Sequence, residues 1–148
     1  MKILYSFFAL LLLTAQSHAT DMYMARSVSS FPETMSKLQE TIKANNYTVS
    51  RVQRVDIGLT AMGYKTDKYR VVFYGKAEEN ARLISQYPFL IPYLPLKIAI
   101  FAEGDETLMV ASNPMLLSNK TAPKLDPVLK RWTNDLNKII KEMRIASD

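Results

Sequence analysis

The chain has 148 residues, carries a formal net charge of +5 and contains no cysteine. Its single histidine, His18, lies in a segment that we expect to be removed, so the mature protein offers neither imidazole nor thiolate. This composition excludes disulfides and disfavours zinc, iron and copper(II) sites as well as histidine-based acid–base catalysis. We therefore predict no cofactor and no metal site.

Residues 1–19 have the pattern of a signal peptide. Lys2 supplies the positive start, Ile3 to Leu13 form an apolar run, and Ser17-His18-Ala19 is a small-x-small cleavage site. The apolar run is too short for a permanent membrane helix, although an uncleaved anchor is the alternative. We predict cleavage after Ala19, export to the periplasm, and one mature domain over 20–148.

Thr20 to Ser29 is predicted to form the first strand, with Met22 and Met24 on one face. Thioethers are soft ligands that suit copper(I), which gives these two residues a functional interpretation. A pair without a third ligand is weak evidence for a metal. We favour the interpretation that the two methionines fill the core.

The first helix is predicted to begin at Ser30, because Glu33 three residues later completes a capping box. Asn45-Asn46 is expected to end this helix, since asparagine tolerates the left-handed conformation. The apolar residues of the helix recur at helical spacing and predict one stripe that faces a sheet. They are Phe31, Met35, Leu38 and Ile42.

Tyr47 to Ile57 is predicted to be a strand with a bulge, and Arg51, Arg54 and Asp56 cluster towards its end. One hypothesis is an anion-binding or acid–base site that also uses Tyr64 in the following connection. The favoured alternative is a solvated face with a local or cross-strand ion pair. The connection itself, Gly58 to Asp67, is predicted to contain at most one helical turn.

The most regular part of the sequence follows. Val71 to Tyr74 is a β-branched and aromatic run that predicts a strand closed by Gly75, and Ala77 to Gln86 has helical composition. Leu96 to Phe101 and Thr107 to Ser112 flank a polar turn that contains glycine, which predicts a β-hairpin.

Between these strands, Pro88 to Pro95 is predicted to be an extended bridge. Tyr87, Phe89 and Tyr93 are interpreted as aromatic side chains that cap the core. The functional alternative is an aromatic groove for a peptide or an apolar ligand, and this bridge is our predicted wall for any pocket.

The last helix is predicted over 126–144, with Asp126 as N-cap and Pro127 at its first position. Lysine and arginine occupy the remainder of its surface. A basic amphipathic helix can bind an anionic membrane, but it more often packs on its own sheet. The predicted core stripe consists of Leu129, Trp132, Leu136, Ile139, Ile140 and Met143.

Several short motifs resemble the bacterial domain-of-unknown-function family 302 (DUF 302). They are Phe31-Pro32-Glu33-Thr34 with Leu38, Val55-Asp56, Tyr69 to Gly75, Leu94-Pro95-Leu96-Lys97-Ile98 and Asn113-Pro114. The resemblance spans about 22–117 and implies a fold, because the family has no settled activity. Many members have histidine after the aspartate and Asn-Pro after the strand glycine, where this chain has Ile57 and Lys76-Ala77. Any role of that histidine cannot be transferred to this chain.

We predict an α+β fold in two layers, with a mainly antiparallel sheet, helices on one face and the order β-α-β-β-α-β-β-α. The first functional hypothesis is a non-catalytic module that binds a small apolar or amphipathic ligand between helix and sheet. The second is an envelope, membrane-surface or protein-interaction module that uses the basic last helix or an uncovered sheet face. The third is an enzyme with a carboxylate acid or base at Asp56. No nucleic-acid partner is predicted. The candidate ligand-binding residues are Arg54, Asp56, Tyr64, Tyr87 and Tyr93.

Overall fold

A computed structural model describes residues 21–118 and 122–145. The predicted signal peptide, residues 1–19, and part of the linker before the last helix lie outside the described residues. Within the described part, no helix is long and apolar enough to cross a membrane.

The described residues form five strands and four α-helices, which confirms the α+β class. The strands are β1 (Met22–Ser27), β2 (Thr48–Arg54), β3 (Tyr69–Gly75), β4 (Leu96–Glu103) and β5 (Glu106–Ser112). The α-helices are α1 (Phe31–Ala44), α2 (Val55–Ala61), α3 (Ala77–Gln86) and α4 (Asp126–Ile145). Short 3₁₀ helices span Pro88–Leu90, Pro114–Leu117 and Pro123–Leu125.

The strands form one antiparallel sheet in the order β1-β5-β4-β3-β2, which places β4 at the centre. The predicted hairpin joins β4 to β5, and Gly104 has a φ of 61° in its turn. That angle lies in the left-handed region, where glycine carries no Cβ penalty. The register pairs Val72 with Ile98 and Ile100 with Met109, so these apolar residues point to the same side.

One face of the sheet, here called the covered face, carries the hydrophobic core. Leu38 and Ile42 of α1, Leu83 of α3, and the α4 stripe are buried against it. Burial of this many side chains is the main stabilising term of the domain. The sheet residues in that core are Ala25, Val72, Tyr74, Leu96, Ile98, Ile100, Met109 and Ala111.

The opposite face of the sheet is here called the open face. Its side chains alternate along each strand with those of the covered face. Its residues do not belong to the core cluster, and most are half-buried or exposed. Leu108 is the exception, since it is buried yet lies outside the core cluster. The apolar members of the open face are Met22, Met24, Tyr69, Val71, Phe73, Ala99, Phe101, Leu108 and Val110.

The ends of α1 match the sequence signals. The Glu33 carboxylate accepts hydrogen bonds from the Ser30 backbone N–H at 3.0 Å and from the Ser30 hydroxyl at 2.7 Å. Asn46 has a φ of 63°, the left-handed conformation expected at the end of the helix. The Glu33 hydrogen bond satisfies a backbone N–H at the start of the helix, and the left-handed Asn46 turns the chain away at its end.

Helix α4 is docked on the covered face, as predicted for a core-facing stripe. Trp132 is 1% exposed, and its indole N–H donates to a Glu79 carboxylate oxygen of α3 at 3.3 Å. Arg131 forms an ion pair with the same glutamate. The Tyr47 hydroxyl donates to Asp135 at 2.6 Å, and burial followed by this hydrogen bond raises the pKa of Tyr47. The helix is therefore held by polar contacts as well as by its apolar stripe.

The end of β2 differs from the prediction. The strand ends at Arg54, and Val55 to Ala61 form α2, where the sequence predicted strand up to Ile57. The β-branched Val55 and Ile57 favour a strand, but pairing with β3 stops at Arg54 opposite Arg70. The chain turns into a helix whose first turn carries Asp56, a favourable position for a negative charge. The predicted bulge is confirmed by the register shift between Val49 and Arg51.

The proline bridge also differs from the prediction. Pro88 to Leu90 form a 3₁₀ helix instead of an extended segment, and the Ile91 N–H donates to the Pro88 carbonyl at 3.1 Å. Proline suits the first position of such a turn, because its φ is already close to the helical value. The turn buries Leu90 completely in the core.

Candidate functional site

An apolar depression lies between α4 and the covered face, and we call it the α4 cavity. It measures about 180 Å³. The sheet, the bridge before β4, the 3₁₀ helix after β5 and α4 all contribute to its walls. The lining residues are Tyr74, Tyr93, Leu96, Lys97, Ser112, Asn113, Pro114, Leu116, Leu117 and Leu136.

The inner wall of the α4 cavity is buried and its rim is exposed. Tyr74 and Leu136 are each 2% exposed, and Leu96 is also buried. At the rim, Tyr93 and Leu116 are about half exposed, and Lys97 is exposed. A buried apolar wall with a few polar groups at its edge is the usual composition of a small-molecule site.

Asn113 fixes the shape of one side of the α4 cavity. Its side-chain oxygen accepts hydrogen bonds from the Met115 N–H at 2.9 Å and from the Thr133 hydroxyl at 3.0 Å. The first bond caps the 3₁₀ helix at Pro114–Leu117, and the second ties that helix to α4. Asn113 therefore positions the cavity wall, and its side-chain oxygen is already engaged in these two hydrogen bonds.

The Tyr74 hydroxyl is the polar group at the inner wall. Its ring packs edge-on against Tyr47 with 5.4 Å between centroids. Burial, and then the nearby Asp135 carboxylate, raises the pKa of Tyr74, so the hydroxyl keeps its proton. It forms no hydrogen bond with a described residue, and since no fully buried side-chain oxygen of the described residues lacks a partner, the Tyr74 oxygen keeps some solvent access.

A second depression, here called the polar cleft, lies at the end of β2. It measures about 470 Å³ and is lined by Asp56, Ile57, Thr60, Ala61, Thr66, Asp67 and Lys68. Apart from Asp56, these lining residues are exposed. The polar cleft is larger than the α4 cavity, but its walls are exposed, mostly polar side chains and do not form a pre-shaped apolar site.

Asp56 is engaged in an ion pair with Arg70 of β3, and the two side chains are 15% and 13% exposed. The hydrogen bond from Arg70 holds the pKa of Asp56 below its ordinary value. A general acid or base works best with a pKa near the working pH, so this carboxylate is poorly matched to that role near neutrality. The guanidinium of Arg70 also lies 5.8 Å from the centroid of the Phe31 ring.

The structure separates the five predicted site residues into two groups at opposite ends of the sheet. Arg54, at the end of β2, and Tyr64, 60% exposed after α2, lie at the same end as Asp56. Tyr87, which ends α3, and Tyr93 lie at the other end. Of the five, Tyr93 lines the α4 cavity, and Asp56 lines the polar cleft. They do not form one site.

Sequence reasoning missed most of the residues that form the α4 cavity. Leu117 and Pro114 lie in a short 3₁₀ helix after β5, and Leu136 belongs to the α4 stripe. Nothing in an apolar stripe distinguishes a residue at a cavity from one in the packed core. The Asn113-Pro114 pair is the one sequence motif that could have indicated this wall, because it begins the 3₁₀ helix that lines the cavity.

The described residues contain no cluster of three or more His, Cys, Asp or Glu side chains placed to hold a metal. Met22 and Met24 lie on the same face of β1, but they are 50% and 44% exposed on the open face. The interpretation that both fill the core was therefore wrong, because the side of β1 that faces the core carries Ala25 instead.

A family model described as "Domain of unknown function DUF302" matches residues 23–143. The chain belongs to the DUF302 family. This DUF302 domain is also similar to a solved structure, the crystal structure of an uncharacterized conserved DUF302 protein from Bacillus stearothermophilus. The TM-score is 0.66 at 21% sequence identity, over 88% of this chain and 100% of that chain. At this identity the likeness shows the fold alone. No curated protein matches the chain.

Proposed function

We propose that this DUF302 domain is a non-catalytic binding module that holds a small apolar or amphipathic ligand in the α4 cavity. The observation that carries the proposal is a cavity of about 180 Å³ between a helix and the sheet, with a buried, largely apolar inner wall and an exposed rim. Empty apolar cavities of about 150 Å³ bind benzene-sized molecules. The cavity volume therefore favours a ligand with a single ring or a short branched chain.

The polar groups support an amphipathic ligand over a purely apolar one. The Tyr74 hydroxyl at the inner wall can donate a hydrogen bond to a ligand or accept one from it. Lys97 and Ser112 at the rim can contact a polar or anionic group that points to solvent. We expect the apolar part of the ligand to contact Leu96, Leu117 and Leu136.

Calorimetric titration with two probes of similar size tests this proposal. Benzene reports on the apolar volume, and phenol adds one hydroxyl that can pair with Tyr74. Leu117→Trp should fill the cavity and abolish binding of both probes. Ile91→Trp, a matched change at an exposed position outside the cavity, should leave both affinities unchanged.

Tyr74→Phe separates the contribution of the apolar volume to binding from that of the hydrogen bond to the Tyr74 hydroxyl. It should weaken phenol binding about fivefold, the value of one ordinary hydrogen bond, and leave benzene binding unchanged. Absence of binding by both probes in the wild-type protein would contradict the proposal. Equal binding in the wild type and Leu117→Trp would place the site elsewhere.

The enzyme hypothesis receives less support. Asp56 forms an ion pair with Arg70, and Tyr64 is exposed and does not line the polar cleft. The membrane-surface hypothesis must rely on the basic outer surface of α4, because the apolar stripe of that helix lies in the core. We rank both below ligand binding.

We also propose that the protein is exported to the periplasm with residues 1–19 removed. The proposal rests on the sequence pattern around Lys2, the apolar run and Ser17-His18-Ala19. The intact mass of the periplasmic protein should correspond to a chain that starts at Thr20. A membrane-bound species that retains Met1 would contradict it.

A further inference from the structure

The open face of the sheet is apolar over its three central strands. Tyr69, Val71 and Phe73 of β3 lie on this face, next to Phe101 of β4 and Val110 of β5. None of these five side chains packs against the core cluster. A solvated sheet face usually alternates apolar residues inside with polar residues outside, and β3 instead has the composition of a strand covered on both sides.

We propose that the open face is the interface of a homodimer in which two copies stack their sheets face to face. The interface would lie on the opposite side of the sheet from the core, and Lys97 of the open face also lies at the rim of the α4 cavity. Two sheets that pack in this way form a sandwich with about 10 Å between them. The second copy would supply the layer that the described helices do not provide.

The area of the face agrees with this occupant. Five strands of about seven residues give a surface of about 24 Å by 24 Å, or about 580 Å² per copy before side-chain relief is counted. The pair would bury about 1,150 Å², which is close to the size at which specific interfaces begin. The apolar part of this face covers the three central strands, and a contiguous exposed apolar patch commonly marks an interaction site.

The charges on the open face are arranged at its two ends. Arg51 and Lys97 flank Phe73 in one row across β2, β3 and β4, and neither forms an ion pair with a described residue. At the other end, Glu103 and Glu106 are paired across the hairpin and share Arg26. One end is therefore net basic and the other net acidic.

Two-fold symmetry selects one orientation of the second copy. If the axis lies in the interface and perpendicular to the strands, the basic end of each copy meets the acidic end of the other. Strand β4 of one copy then lies over β4 of the second copy, and Lys97 of one copy faces Glu103 of the other. An axis parallel to the strands would place basic rows against each other, which is unfavourable.

Mass measurement by light scattering or sedimentation, over a range of protein concentrations, tests the interface. The wild-type protein should pass from monomer to dimer as the concentration rises. Val71→Lys should raise the dimer dissociation constant about a hundredfold, because it buries an unpaired charge in the interface. Met24→Lys, at a 44% exposed position of the same face, repeats the test with less risk to folding. Ile91→Lys, at a 59% exposed position elsewhere, should change nothing.

Charge reversal tests the orientation. Lys97→Glu should weaken the dimer about tenfold, and adding Glu103→Lys should restore most of the affinity by exchanging the two partners. Lys130→Glu makes the same charge change on the exposed surface of α4 and serves as the control.

Two results would overturn the proposal. A wild-type protein that remains monomeric up to about 1 mM would leave the open face to a different partner. A dimer that is insensitive to both Val71→Lys and Met24→Lys would use another surface. Failure of the charge-exchange pair alone, with the two lysine variants monomeric, would reject the stated orientation.

Discussion

The two faces of the sheet are made from similar residues but have different surroundings. On β3, Val72 and Tyr74 are 0% and 2% exposed beneath the helices, whereas their neighbours Val71 and Phe73 on the open face are only half-buried. Strand composition alone does not distinguish these two environments. The difference arises from the amphipathic helices, since the apolar stripes of α1 and α4 contact one face.

This difference assigns separate roles to the two faces. The covered face supplies stability and encloses the α4 cavity at one end, where α4, the bridge and the 3₁₀ helix after β5 do not fill the space completely. The open face contributes little to the core and retains apolar surface for contact with a second copy. Substitutions on the two faces should therefore differ in kind as well as in size.

The largest expected effect comes from removing the anchor of the covered face. Trp132→Ala should lower the free energy of unfolding by about 3–5 kcal/mol, because it leaves a cavity beneath α4. Chemical denaturation measures this loss, and Lys130→Ala on the exposed surface of α4 is the control.

The wild-type protein should emit tryptophan fluorescence at short wavelength and shift to longer wavelength on unfolding. Long-wavelength emission in the native protein, typical of a solvent-exposed tryptophan, would mean that α4 does not pack on the covered face.

Adjacent residues of β3 give a matched comparison of the two faces. Val72→Ala should cost about 2 kcal/mol, because its side chain is fully buried. Val71→Ala makes the same chemical change on the open face and should cost less than about 1 kcal/mol in dilute monomeric protein. Denaturation at low protein concentration measures both. Equal losses would show that the open face is covered in the monomer.

The smallest expected effect concerns the Asp56–Arg70 pair at the polar cleft. Asp56→Asn should cost about 1 kcal/mol at neutral pH, the value of a hydrogen bond to a charged group that keeps some solvent access. Because the pKa of Asp56 is lowered in the folded state, its contribution is present above the unfolded pKa and is lost as the pH falls through the folded pKa. The stability difference between wild type and Asp56→Asn should therefore shrink below about pH 4. Asp105→Asn, in the exposed hairpin turn, is the control, and a pH-independent difference would contradict the assignment.

Local sequence signals predicted the elements whose ends are set by nearby residues. Helix α3 matches its predicted range because Gly75 ends the strand before it and Pro88 follows it. The β4–β5 hairpin and the start of α1 at Ser30 are also local features. These parts of the fold needed no knowledge of distant contacts.

The errors occur where a distant partner decides the structure. β2 stops at Arg54, where its pairing with β3 ends opposite Arg70, and no local signal around Val55 indicates this. The α4 cavity is formed by segments as far apart in sequence as Tyr74 and Leu136. The sequence could therefore predict the bridge as one wall, through Tyr93, but it could not predict the opposite wall.

Methyl NMR during a benzene titration tests the central claim most directly, because both faces carry methyl groups that report separately. The account predicts shifts for the methyl groups of Leu96, Leu117 and Leu136 around the α4 cavity. Val71, Leu108 and Val110 on the open face should show no shift at the same benzene concentrations. Shifts confined to the open face, or none at the three leucines, would contradict the claim that the covered face holds the ligand.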